Sequence, residues 1–153
     1  MCYNFLMKKE EFNLSESYGY HFNIIFTNIK RMMESRLKIY DATHLQFSIL
    51  VNLYKNNVKT QKEMLKYVNG DEASITRLID RLESKGLIKR VKSTEDKRKK
   101  HLVLTHSGVS LAKKTIACAQ EVNQEIIKDL DKDEAKKLLE LLQKVHLSLD
   151  KLE

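Results

Sequence analysis

Apolar residues return every three or four positions along most of this chain, and polar residues suited to starting helices sit between the runs. Tyr18, Phe22, Ile25, Ile29 and Met32/Met33 stripe a long helix over residues 15–39, and Ile24 and Phe26 widen the stripe toward a second neighbour. Thr43 and Gln46 have capping-box spacing, opening a helix through Phe47, Leu50, Val51 and Tyr54. Thr60 and Glu63 repeat that spacing before a short helix that should stop near Asn69 and Gly70, residues tolerant of a left-handed backbone. A further helix starts around Asp71, with Ile75, Leu78, Ile79 and Leu82 on one side.

The period then changes from helical to alternating. Residues 87–91 and 101–105 read as two short strands rich in apolar and β-branched side chains. Thr105 is placed to cap a long helix over residues 107–130, striped by Ala112, Ile116, Ala119, Val122/Asn123, Ile126 and Leu130. Asp131 and Glu134 form another capping box, and the last helix runs to the end of the chain. Its Ala135, Leu138, Leu142, Val145, Leu149 and Leu152 trace a heptad seam, while Leu139, Leu141 and Leu147 make a second apolar side. One chain of 153 residues has difficulty covering all of that surface. The first and last helices are therefore expected to form a homodimer interface, and residues 1–12 a loose start.

Two helices across a tight turn at residues 60–84 read as a helix-turn-helix. The hairpin after them carries four consecutive basic residues from Lys97 to Lys100, which makes it a wing. The fold expected is mainly α with a small β-wing. A helix-turn-helix lobe spans residues 41–105, flanked by an arm and first dimerisation helix at 1–40 and C-terminal dimerisation helices at 106–153.

Charge sharpens this picture. The formal net charge is +7, and residues 60–105 hold twelve basic against seven acidic side chains. A basic excess concentrated on the helix-turn-helix and wing draws a polyanion, and nucleic acid is the simplest one. An anionic membrane surface fits less well, because no basic stretch is paired with an exposed apolar face. Ser74, Arg77 and Arg81 lie opposite the apolar stripe of the second helix, where a major groove would meet them.

The run from Ile75 to Ile88, closing on Leu82, Glu83, Gly86 and Leu87, is similar to the recognition-helix pattern of the MarR (multiple antibiotic resistance regulator) family. Asp96 and Arg98 match that family's Asp-x-Arg wing signature, and residues 102–105 match the strand that closes the wing. The resemblance implies a winged helix-turn-helix transcription regulator that binds double-stranded DNA at a pseudo-palindromic operator, a repressor more than an activator. It places Ser74, Thr76 and Arg77 at base edges or phosphates, with Arg81 on the same side, and Thr60 and Gln61 on the backbone. Arg98 enters the minor groove, Asp96 braces it, and Lys97, Lys99 and Lys100 add general attraction. Glu72, where a basic or neutral residue is commoner, is placed to weaken binding or to accept from a cytosine amino group. Met64-Leu65 and Gly70 also depart from the usual pattern, in the first helix and turn of the motif.

In many relatives an aromatic or phenolic ligand binds between the DNA lobe and the dimer helices. His21, Phe22, Ile25, His44 and Phe47 are the corresponding candidates here, and simple core would look the same. His21, His44 and His106 could converge where zinc-sensing relatives bind metal, although no paired-ligand spacing supports a metal and none is assigned. Cys2 and Cys118 are the only cysteines. They read as a terminal thiol and a small buried residue, with a redox-gated regulator as the alternative. No phosphate loop, nucleophile elbow or His-Glu-x-x-His is present, so enzyme chemistry and cofactors are not expected. No apolar run reaches membrane-spanning length and no signal-peptide layout is seen, which makes the cytoplasm the expected location. A winged-helix module for contact with an acidic protein is the other reading.

Overall fold

The computed structural model describes residues 13–68, 70–93 and 100–152. A 3-10 turn at Leu14–Glu16 leads into α1 (Tyr18–Leu37), which Ser17 caps by accepting from the Tyr20 amide. A second 3-10 turn, Lys38–Tyr40, ends at Asp41 in the left-handed region (φ 49°) and redirects the chain. The loose start expected at residues 1–12 lies outside the described residues.

The capping boxes form as the sequence predicts. Thr43 and Gln46 start α2 (His44–Lys55), Thr60 and Glu63 start α3 (Gln61–Met64), and Asp131 and Glu134 start α6 (Lys132–Leu149). Helix α3 is much shorter than expected. Past Met64 the chain continues as hydrogen-bonded turns, Lys66 N to Glu63 O and Tyr67 N to Met64 O, which still deliver Val68 to the core. Asp71 caps α4 (Glu72–Ser84).

The hairpin pairs β1 (Ile88–Lys92) antiparallel with β2 (Lys100–Leu104), in the register Ile88↔Leu104, Arg90↔Leu102 and Lys92↔Lys100. Both strands sit one residue off the expected boundaries. Leu102 N also donates to Lys59 O at 2.7 Å, which ties the hairpin back to the segment before α3.

One apolar cluster holds the helix-turn-helix together: Ile49 and Leu50 of α2, Met64 and Val68 near α3, Ile75, Ile79 and Leu82 of α4, and Ile88 and Leu102 of the strands. A second, smaller cluster joins Met33 and Leu37 of α1, Ala42, and Val122 of α5 (His106–Ile126), with Phe47 packed against it. Helix α5 ends four residues before the expected limit, and its buried face is Gly108, Ala112, Thr115, Cys118 and Val122. Ile116 is only half-buried and Ile126 is exposed, so the stripe expected through them is rotated. Thr115 enters the interior because its hydroxyl donates back to Leu111 O and Ala112 O, leaving no polar atom unsatisfied.

The two outer helices are different. Helix α6 buries no residue, and Leu139, Leu147 and Leu149 each remain at least 57% exposed. The N-terminal half of α1 is likewise bare, with Tyr18, Phe22, Ile24, Ile25 and Phe26 all exposed.

The first turn of α5 presses on the junction between α4 and β1. A Cβ at Gly108 would lie 1.9 Å from the Leu87 carbonyl oxygen. Thr105 occupies the same junction, donating to Gly86 O at 2.6 Å and accepting from the Gly108 amide at 3.0 Å. Gly108→Ala should therefore cost at least about 1–3 kcal/mol through overpacking. Urea unfolding would show this as a lower midpoint, and an unchanged midpoint would contradict the close approach.

Candidate nucleic-acid interface

Helix α4 is built with two faces. Ile75, Ile79 and Leu82 are fully buried and Leu78 is half-buried, while Glu72, Arg77 and Arg81 stand in solvent on other sides. Ser74 and Thr76 are intermediate. The N-terminus is fixed by the Asp71 carboxylate, which accepts from the Ser74 amide at 2.7 Å. That bond holds the Asp71 carboxyl below its ordinary pKa. Amides of the first turn and the helix dipole make this end attractive to anions, against which Glu72 works.

The two helices of the motif touch through their polar residues as well as their core. Gln61 Nε2 donates to Thr76 Oγ1 at 2.6 Å, and Thr76 Oγ1 donates to Glu72 O at 2.7 Å. Two candidate contact residues are thus bound to each other, and Gln61 keeps its carbonyl oxygen for a further donor. Thr60 is committed locally: its hydroxyl accepts from the Glu63 amide. The Glu63 carboxylate in turn accepts from the Lys59 amide at 2.7 Å, which holds Glu63 below its usual range. Arg77 Nε donates to Ala73 O at 3.2 Å.

The wing is fastened to α4 by a residue the sequence reading did not single out. Arg90 of β1 donates to both Asp80 and Glu83 of α4. The wing residues named from sequence, Asp96, Lys97, Arg98 and Lys99, lie outside the described residues.

The candidate ligand residues fall into two groups on the chain. His21, Phe22 and Ile25 are on the exposed half of α1, with the His21 ring 2.8 Å from Ser15 O. His44 and Phe47 open α2, their rings 6.2 Å apart, and His44 senses Glu34 and Lys30 of α1. Those positions lie nine to thirteen residues beyond His21, roughly 13–20 Å along the helix. A surface cleft of about 400 Å³ opens elsewhere, lined by Tyr40, Leu87, His106, Ser110 and Lys114 among others. Lys114 Nζ stands 6.0 Å over the Tyr40 ring. No sequence motif marks this cleft, because its walls come from three separate segments.

Among the described residues, no three His, Cys, Asp or Glu side chains gather as metal ligands, so His21, His44 and His106 do not converge in that way. Cys118 is buried, and burial pushes its thiol up, with the Glu121 carboxylate adding to the effect. Such a thiol is poorly suited to sensing oxidants. Cys2 lies outside the described residues. No described helix is long and apolar enough to cross a membrane.

Comparison with known proteins decides what this arrangement is. Residues 42–100 match the family model for the MarR family. The multiple antibiotic resistance protein MarR of Escherichia coli K12 is 32% identical over 116 residues, covering 75% of this chain and 81% of the relative. The chain belongs to the MarR family. An uncharacterized HTH-type transcriptional regulator of Bacillus cereus is 31% identical over 132 residues, covering 85% of this chain and 88% of that protein.

Solved MarR-family structures share the fold. The S. aureus MepR–DNA complex superposes with a TM-score of 0.75 at 27% identity, covering 87% of this chain and 96% of that one. A cysteine mutant of E. coli MarR in complex with operator DNA gives a TM-score of 0.71 at 29% identity, covering 83% and 91%. The MarR family consists of transcription regulators rather than enzymes. The mainly helical fold with a two-stranded wing is that of its winged-helix members.

His44 yields a test of local packing. Burial holds its pKa below the ordinary imidazole value of about 6.5. The folded state then binds fewer protons than the unfolded state as pH falls through that value. The stability His44 contributes is present above it and is lost on acidification. Denaturant midpoints between about pH 7 and 5 should fall more steeply in the native protein than in His44→Gln, and equal slopes would place His44 in solvent.

Proposed function

We propose that this protein is a homodimeric, sequence-specific regulator that represses transcription by binding double-stranded DNA at a pseudo-palindromic operator. The observation that carries the reading is the α4 surface. Ser74, Thr76, Arg77 and Arg81 are offered on a helix whose opposite side is locked into the lobe core, in a chain whose MepR and MarR relatives have structures with DNA. In this reading α4 enters the major groove. Arg77 and Arg81 contact guanine or phosphate, Ser74 and Thr76 meet base edges or backbone, and Glu72 accepts from a cytosine amino group. Gln61, steadied by Thr76, and the Thr60 hydroxyl, which can still donate its proton, hold the phosphate backbone. Arg98 of the wing takes the adjacent minor groove with Asp96 bracing it, while Lys97 and Lys99 add attraction that does not depend on sequence.

Division of labour follows the chain. Residues 1–40 and 106–153 pair two subunits through the bare apolar faces of α1 and α6, and residues 41–105 read DNA. Two-fold symmetry then sets the two α4 helices about 34 Å apart, one turn of duplex. A small aromatic or phenolic ligand modulates binding from between the lobe and the dimer helices. His44 and Phe47 line its site from the lobe side, and His21, Phe22 and Ile25 from the dimer side. The protein acts in the cytoplasm, without a cofactor and without catalytic activity.

Binding of the purified protein to the DNA upstream of its own gene, across a salt series, tests the reading. Affinity should exceed that for random DNA, with log K falling by about 0.9 per phosphate neutralised. Arg98→Ala should flatten that slope by about 0.9, and Arg77→Ala should cost about 1–3 kcal/mol of discrimination. No binding even at low salt would contradict the proposal and point instead to a winged helix used for protein contact.

A further inference from the structure

The face of the hairpin turned toward α4 changes character along its length. Its first pair, Ile88 and Leu104, is apolar, and Ile88 is fully buried. Its last described pair, Lys92 and Lys100, is cationic and exposed. Residues two apart on a strand share a face, so Arg90, paired with Leu102, stands at the changeover. Its side chain is only 24% exposed. One guanidinium nitrogen donates to Asp80 Oδ1 at 2.6 Å, another donates to Glu83 Oε2, and the Arg90 amide donates to Glu83 Oε1 at 3.1 Å. Asp80 and Glu83 lie three apart on α4, hence on one face, one turn from each other. Arginine alone offers a planar fork able to hold two carboxylates while its own backbone amide holds one of them again.

Two consequences follow for a lobe that meets a polyanion. First, Asp80 and Glu83 are the only carboxylates in the second half of α4, and Arg90 pairs with both, offsetting their charge. Second, Lys92 and Lys100 face each other as like charges directly across the ladder, a pairing that costs stability in isolation. An anion between them removes that cost. The Arg90 tie sets where this cationic pair stands relative to α4.

We infer that Arg90 is a positioning residue for DNA recognition: by clamping Asp80 and Glu83 it fixes the wing against α4, so that the Lys92–Lys100 pair and the exposed face of α4 engage phosphates of one duplex together. The inference rests on the DNA-binding reading given above. Arg90 itself touches no DNA, although its charge and place on the wing would suggest that it does. Lys92 and Lys100 become phosphate contacts whose contribution depends on a residue that contacts only protein.

A double-mutant cycle on operator affinity, run with the full chain at a protein concentration where every variant is folded and dimeric, separates these roles. In the native background the Lys92→Ala/Lys100→Ala pair should lower affinity and reduce the salt slope by about 1.8, two phosphates' worth. In an Arg90→Ala background the same pair should cost about tenfold less, and Arg90→Ala alone should leave only the slope of the α4 contacts. Asp80→Asn/Glu83→Gln keeps Arg90 and breaks the clamp from the helix side, which also covers the case in which Arg90→Ala fails to fold. It should abolish the coupling in the same way. Arg90→Lys, which keeps the charge without the fork, should behave like Arg90→Ala.

Equal lysine penalties in all backgrounds would overturn the inference, as would full coupling in Arg90→Lys. So would an Asp80→Asn/Glu83→Gln variant that keeps the coupling and steepens the salt slope by about 0.9, the sign of a freed arginine reaching phosphate. A native protein that binds no DNA would instead defeat the functional reading beneath it.

Discussion

Burial of one side of α4 is the constraint on which the rest of the lobe depends. Ile75, Ile79 and Leu82 are each worth about 1.5–3 kcal/mol when removed from water, and they reach the interior only if the helix keeps a single rotation about its axis. That rotation decides which polar residues point outward. Ser74, Arg77 and Arg81 are therefore presented by the core, with α2, the α3 turns and the hairpin supplying the surfaces against which α4 is held. Function in this protein begins as a packing problem.

Polar ties then refine what packing leaves free. Gln61 and Thr76 couple the two helices of the motif, Arg90 couples α4 to β1, and Lys85 reaches Asp41 at 2.8 Å, linking the end of α4 to the bend between α1 and α2. The last of these is solvent-exposed and adds little to stability. Its interest is its place, since Asp41 marks the junction between the DNA lobe and the α1 side. The outer helices carry the opposite imbalance, with large apolar faces that no other described part of the chain covers. In the proposed dimer a second copy covers those faces and sets the two lobes at a fixed spacing.

Features carried by local physics were legible in the sequence. The capping boxes at Thr43, Thr60 and Asp131 need only a polar side chain and its partner three residues on, and all three form. The α4 stripe was equally plain, because four apolar residues at helical spacing with arginines opposite admit one arrangement. Features that depend on distant segments were less so. The α3 helix closes after Met64 because turns suffice to bring Val68 inward before Gly70, whose φ of 151° suits glycine. The α5 stripe was misplaced because Thr115 looks polar in sequence, yet satisfies its hydroxyl on its own helix and can be buried. Nothing in the sequence separates Arg90 from the other basic residues of the hairpin. Only the fold shows that it faces Asp80 and Glu83. The candidate ligand residues divide between two stretches for the same reason: an apolar or histidine side chain does not announce which helix it will meet.

Hydroxyl-radical footprinting of the protein on the DNA upstream of its own gene tests the central claim most directly. Two copies of α4, each held by its own lobe core and set apart by a symmetric dimer, should protect two patches about ten to eleven base pairs apart on one face of the duplex. A single protected patch, or even protection along the whole fragment, would contradict the account.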